Sequence, residues 1–211
     1  LEKLLAETSY LVDFHQTLQP SDRPFFIFPY APESFRFARD IRPSQSVVTH
    51  WGDSFSKDGF CTDEYVNSRG GTGITIELGQ NGFDSYQIDS GILLGIAALR
   101  VVAGYQGALE PILDGPDSRM RGPVFTWAEI VPWPQTGNGL VTLEPDLNNF
   151  RQVHRGQRLG DFAGQEIMSP ADGRVIFTKY LSHQEQKALT ERPKELLRLM
   201  REIEETDLPQ S

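Results

Sequence analysis

Cysteine is nearly absent: the 211 residues hold one, Cys61. A single thiol excludes an intrachain disulfide and a cysteine-based zinc cluster. No histidine is close to it in sequence, so a half-exposed, chemically idle thiol is a simpler reading than a nucleophile. Histidine is scarce as well, with four in the chain, and no His-x-x-Glu pair occurs anywhere. Positive charge is outweighed, 20 Lys and Arg against 29 Asp and Glu, for a net charge of -9. That balance argues against a nucleic-acid groove or an anionic membrane surface as partner. No uninterrupted apolar run reaches the length of a bilayer span, and no signal peptide is visible. A cytoplasmic protein without membrane or nucleic-acid partners is therefore expected.

A hydrophobic content of 38% over 211 residues is enough to bury a real core. The chain opens inside a helical pattern, Leu1-Glu2-Lys3-Leu4-Leu5-Ala6-Glu7, without an initiator Met, which reads as the later portion of a longer polypeptide. Tyr10-Leu11-Val12-Asp13-Phe14-His15 suits a buried strand, and Phe25–Pro29 and Ser46-Val47-Val48-Thr49-His50-Trp51 read as further strands. Pro32 starts a short helix, where proline is tolerated, with Arg36 and Arg39 expected on its solvated side. Thr62 or Asp63 can cap a helix through Tyr65 that ends near Arg69, at Gly70-Gly71. The β-branched run Ile74-Thr75-Ile76 leads to Glu77-Leu78-Gly79. Asp84 or Ser85 caps a long helix whose core, Ile92 to Leu99, is apolar nearly all round and predicts burial against a sheet.

Strands and helices thus alternate over residues 1–110, which predicts an α/β domain with a mixed sheet flanked by helices. Short strands with turn signals then predict a small all-β sandwich or barrel module over 111–182. The tail, 183–211, reads as an amphipathic, charged helix through Leu189, Leu196, Leu197 and Met200. Its apolar stripe leaves a homo-oligomer open.

The candidates for chemistry lie at strand ends. His15 follows Asp13 by two residues, and an imidazole with a carboxylate beside it suits a metal ligand and its supporting partner; a histidine in an ordinary turn gives the same pattern. Glu77 is placed as the last strand residue, where it can act as a general base or simply meet solvent. Arg69 offers a guanidinium for a substrate carboxylate, with Tyr65 four residues earlier on the same helical face; a surface salt bridge is the alternative. His50-x-x-Asp53 imitates a ligand pair in a loop that does not fix its spacing. His154 and His183 look structural.

Val12-Asp13-Phe14-His15-Gln16-Thr17 and Tyr65-Val66-Asn67-Ser68-Arg69, leading to Gly73-Ile74-Thr75-Ile76-Glu77-Leu78-Gly79, resemble the succinylglutamate desuccinylase/aspartoacylase family of zinc carboxypeptidase-like hydrolases. Gly156 to Val175 resembles that family's small C-terminal domain, a lipoyl-like sandwich. No lysine at the hairpin supports a carrier role. The resemblance covers nearly the whole chain, but only the later two-thirds of a family member. It implies a zinc ion held in part by His15, with Asp13 behind it. Glu77 would be the base on zinc-bound water, and Arg69 and Tyr65 would hold the carboxylate of an N-acyl amino acid. The family's other two ligands, a His and a Glu of one early motif, have no counterpart, so the chain alone is expected to lack a competent zinc site. The implied activity is a zinc-dependent deacylase; a non-catalytic binding or scaffold protein and a carboxypeptidase-like peptidase are the alternatives.

Overall fold

The computed structural model describes residues 1–21, 23–52, 61–105 and 121–209 of the chain. It separates into two compact units. Unit 1 comprises Leu1–Gln16, Arg23–Thr126 and Glu202–Ser211; unit 2 comprises Thr17–Asp22 and Trp127–Arg201. The boundary thus falls at Thr126, not near residue 110, and the tail is shared between the units instead of standing apart.

Unit 1 holds α1 (Glu2–Ala6), β1 (Tyr10–Thr17), β2 (Phe25–Pro29), α2 (Pro32–Ile41), β3 (Val47–His50), α3 (Thr62–Ser68), β4 (Thr72–Gln80), α4 (Ser85–Val102) and the first residues of β5 (Val124–Pro132). Its strand order is β1-β4-β2-β3-β5. β2, β3 and β5 run parallel, with Phe26 opposite Val47 and Val47 opposite Val124, while β4 is antiparallel to β2. The mixed sheet with flanking helices is the expected fold. Phe26 and Phe28 of β2 point into one cluster with Ile74 and Ile76 of β4, Phe37 and Ile41 of α2, and Leu94 and Ala97 of α4. Each such large side chain contributes about 1.5–3 kcal/mol by leaving water. On the other face, α3 lies against β4 so closely that a Cβ on Gly73 would stand 2.8 Å from the backbone of Asp63.

Three expectations for this unit need correction. β1 was expected to be a buried strand; it ends the sheet, and Tyr10, Phe14, His15 and Gln16 are exposed. α4 starts where expected, with Gln87 N–H donating to Asp84 Oδ1 at 3.0 Å, but it is not buried all round. One face packs on the sheet through Ser90, Leu94, Ala97 and Ala98, while Ile92 is 56% and Leu99 71% exposed. Averaged over its 18 residues, α4 is also apolar enough by length and composition to cross a bilayer, which a search for an unbroken apolar run misses because Gln87, Asp89 and Ser90 interrupt it. Arg39, expected in solvent, is buried: its guanidinium donates to the carbonyls of Pro43, Gln45 and Gly122 and pairs with Glu205 at 3.0 Å. Arg36 does reach solvent, paired with Glu33 at 2.8 Å.

Unit 2 contains β6 (Val141–Leu143), β7 (Gln152–Val153), β8 (Arg158–Phe162), β9 (Gln165–Met168), β10 (Gly173–Ile176), α5 (His183–Ala188) and most of β11 (Glu195–Ile203). β6-β8-β9 form a three-stranded antiparallel sheet, and β10 pairs antiparallel with both β7 and β11. A core of Trp133, Leu147, Leu159, Leu196, Leu197 and Leu199 closes the unit. The small β module is as expected, but the predicted tail helix is not. After the six residues of α5 the chain passes Pro193 and becomes strand β11. Leu196, Leu197, Leu199 and Met200 are wholly buried there, and no such apolar stripe remains for self-association. Consecutive burial on both faces of a strand looks like helical amphipathicity whenever charged residues fall among the apolar ones, as Arg198 does between Leu197 and Leu199.

Candidate active site around Glu77

β1 and β4 bring the candidate residues together. Thr72 N–H, at the start of β4, donates to Ser9 O at 2.9 Å, just before β1. At the far ends, Gln16 Nε2 donates to Gly82 O at 2.9 Å and to Gln87 Oε1 at 2.7 Å. The two strands therefore run in the same direction. Asp13 and His15 are two residues apart on β1 and so share a face, with His15 Nε2 3.3 Å from Asp13 Oδ1. That face looks toward the amino end of α3, where the Thr62 hydroxyl donates to Asp13 Oδ2. Cys61 caps α3, its N–H donating to Glu64 Oε2 at 3.0 Å, one residue before the expected cap. Burial and the carboxylates of Glu64, Asp63 and Asp13 push the Cys61 thiol up to about 11, so it stays protonated and idle at neutral pH.

Glu77 is not the last residue of its strand. β4 continues to Gln80, because Gly79, at φ +142°, carries the backbone through a conformation closed to most side chains. Glu77 lies opposite Phe25, the first residue of β2. It is 6% exposed, and its Oε2 is buried without a hydrogen-bond partner among the described residues. Burial raises its carboxyl from 4.5 to about 7; His15 pulls it down and Asp13 pushes it up. A carboxyl group in that range can both accept and release a proton near neutrality, as a general acid–base must. Neighbouring Asp63 is also buried and raised by burial, but it is spoken for: it accepts from Glu64 N–H at 2.8 Å and from the Thr75 hydroxyl at 3.1 Å.

The structure therefore brings Asp13, His15 and Glu77 together. Arg69 and Tyr65 pair with each other on α3. Arg69 closes α3 at the amino end of β4, its guanidinium 5.3 Å from the centre of the Tyr65 ring and Nη2 3.3 Å from the Tyr65 hydroxyl. The five-residue step from Thr72 to Glu77 spans about 17 Å of strand. The charged groups acting on Glu77 are His15 and Asp13. His50 is buried at the end of β3, and Asp53 lies outside the described residues. His154 is exposed, 3.4 Å from Asp172.

A catalytic zinc takes three protein ligands. Among the described residues no three His, Cys, Asp or Glu side chains converge to hold a metal. His15 fits one ligand position and Asp13 fits the partner that orients its ring, but this donor set does not make a zinc site by itself.

No family model matches the chain, and no curated protein matches it in sequence. Solved structures do match. The succinylglutamate desuccinylase/aspartoacylase of Rhodobacter sphaeroides superposes with a TM-score of 0.65 at 17% identity, covering 96% of this chain and 61% of that one. The succinylglutamate desuccinylase of Vibrio parahaemolyticus gives 0.65 at 14% identity, with 96% and 59% covered. Murine aminoacylase 3 gives 0.59 at 14%, with 92% and 63% covered. The chain has the fold of these deacylases over about three fifths of their length.

Proposed function

We propose that the chain is the Glu77-bearing part of a hydrolase that cleaves the amide bond of an N-acyl amino acid or a similar small amide. One observation carries the reading: a buried carboxylate oxygen without a hydrogen-bond partner among the described residues, on a group that burial pushes up to about 7, beside a histidine held by an aspartate. Leaving such an oxygen unpaired costs about 1–3 kcal/mol, and a purely structural residue has no reason to bear that cost. The fold shared with succinylglutamate desuccinylases and aminoacylase 3 supports the reaction class.

Glu77 does two things in this reading. Ionised, it takes a proton from the attacking water; protonated, it returns that proton to the departing amine nitrogen. The acyl carbonyl carbon gains the water oxygen and loses the nitrogen, leaving a carboxylic acid and a free amine. A zinc ion would polarise the acyl carbonyl and acidify the attacking water, and His15 would be one of the residues holding it, oriented by Asp13.

The test is Glu77→Gln in the full-length hydrolase, assayed on N-succinylglutamate and N-acetylaspartate. General acid–base catalysis contributes ~10²–10⁴-fold, so turnover is expected to fall by at least a hundredfold with little change in KM. The wild-type profile should bend near pH 7. A loss below tenfold removes Glu77 from the mechanism; a wild-type protein that binds these amides without turning them over is a binding protein that kept the fold.

A further inference from the structure

A slot of about 360 Å³ opens in unit 2, and every residue lining it belongs to that unit. Residues 129–132 of β5 and all four residues of β9, Gln165–Met168, take part in the lining. Successive residues of a strand point to opposite faces, so a cavity that meets four in a row runs along the backbone edge. Both strands have such an edge open among the described residues. β9 ends its three-stranded sheet, with β8 on its paired side. β5 pairs with β3 only as far as Thr126. Past that point Ala128, Glu129 and Ile130 are exposed in succession, on both faces of the strand. β9 also has neither the lysine nor the proline that commonly blunts a free edge.

The lining is apolar, with an excess of negative charge. Val131 and Phe162 are buried, while Ile130 is 53% and Met168 42% exposed. Glu129 is exposed and makes no ion pair among the described residues. Glu166 stands 3.4 Å from Arg158, which also binds Glu144, so one guanidinium answers two carboxylates. Arg192 covers the Phe162 ring, but its guanidinium is committed to the carbonyls of Pro134 and Gly137. We propose that the slot takes an extended segment of a partner protein, which adds a strand along β9. Apolar side chains of the segment meet Ile130, Phe162 and Met168, and a lysine or arginine meets Glu129 and Glu166. Charge argues against a second copy as occupant, because pairing two β9 edges would set like carboxylates beside each other. The proposal is independent of hydrolysis by unit 1, and its failure leaves that reading as it stands.

The probe is a heptapeptide of alternating lysine and valine, titrated calorimetrically into the 211-residue chain at about 0.15 M salt, where distant charges are screened. Saturable one-to-one binding is expected, with hydrogen exchange of the β9 amides that point away from β8 slowed at least tenfold. Methylating alternate backbone nitrogens of the peptide removes its ladder donors and keeps every side chain; affinity should fall at least tenfold. The double substitution Glu129→Lys, Glu166→Lys should weaken binding by a similar factor and make the chain prefer a glutamate–valine peptide. It should leave the thermal melt unchanged, since both side chains are exposed. A methylated peptide that binds as well as its parent overturns the added strand. Binding indifferent to the double substitution overturns the charge match. Absence of saturable binding overturns the proposal, as does a chain that dimerises with the same β9 amides protected.

Discussion

Arg39 and Glu77 are both charged side chains buried in unit 1, and their surroundings could hardly differ more. The Arg39 guanidinium donates to three carbonyls, Pro43, Gln45 and Gly122, and meets the Glu205 carboxylate, which is also bound by Arg121. Burial lowers its pKa and Glu205 raises it again. Glu77 has a buried oxygen with no hydrogen-bond partner among the described residues, and burial outweighs what His15 returns. A charge with every hydrogen bond satisfied ties elements together: here α2, the turn after it, the chain before β5 and the C-terminal segment. A charge left unsatisfied does nothing for the fold and is available for chemistry.

The largest effect that would break this contrast is at Arg39. Arg39→Met keeps most of the stem but strands three carbonyls and leaves the Glu205 carboxylate to Arg121 alone. Breaking a buried ion pair from one side costs about 3 kcal/mol or more, so chemical denaturation should show a loss of that order. A loss below about 1 kcal/mol would put Arg39 among ordinary surface residues.

Glu77 should respond with the opposite sign and with pH. Its folded-state pKa, about 7, lies above the ordinary 4.5. Below pH 4.5 the carboxyl is neutral in both states and carries no linkage penalty. As pH rises the unfolded chain ionises first, and the folded state loses stability until pH passes 7. The shift corresponds to about 3 kcal/mol. Relative to wild type, Glu77→Gln should therefore gain about 3 kcal/mol between pH 4 and pH 9, whatever fixed offset the amide introduces. A pH-independent difference would mean that Glu77 is solvated in the folded protein.

The difference between the two sites also decides what the sequence could reveal. Glu77 stood out because β-branched residues before it and glycine after it bound a strand, and its neighbours Asp13 and His15 follow from a two-residue strand repeat. Arg39 did not, because its partner Glu205 is 166 positions away and nothing local distinguishes it from solvated Arg36. The same distance blindness turned β11 into a helix: Leu196 and Leu197 are buried by strands and loops remote in sequence. Local chemistry is legible from the order of residues. Which faces of β1 and α4 stay bare depends on what packs there, and no local pattern carries that.

Arg69 sharpens the contrast from the weak end. It is an arginine on the same unit, as exposed as Arg39 is buried, and it stacks on Tyr65 at the opposite end of β4 from Glu77. Exposed pairs contribute about 0–1 kcal/mol, so Arg69→Ala should change stability by under about 0.5 kcal/mol. If the guanidinium also held a substrate carboxylate, its removal would raise KM at least tenfold with kcat nearly unchanged, because a carboxylate held equally in ground and transition states is uniform binding. With about 17 Å of strand between Thr72 and Glu77, the expected KM is within twofold of wild type. A tenfold rise would show that the amino end of α3 and Arg69 close on the substrate together, and would bring Arg69 and Tyr65 back to the Glu77 site.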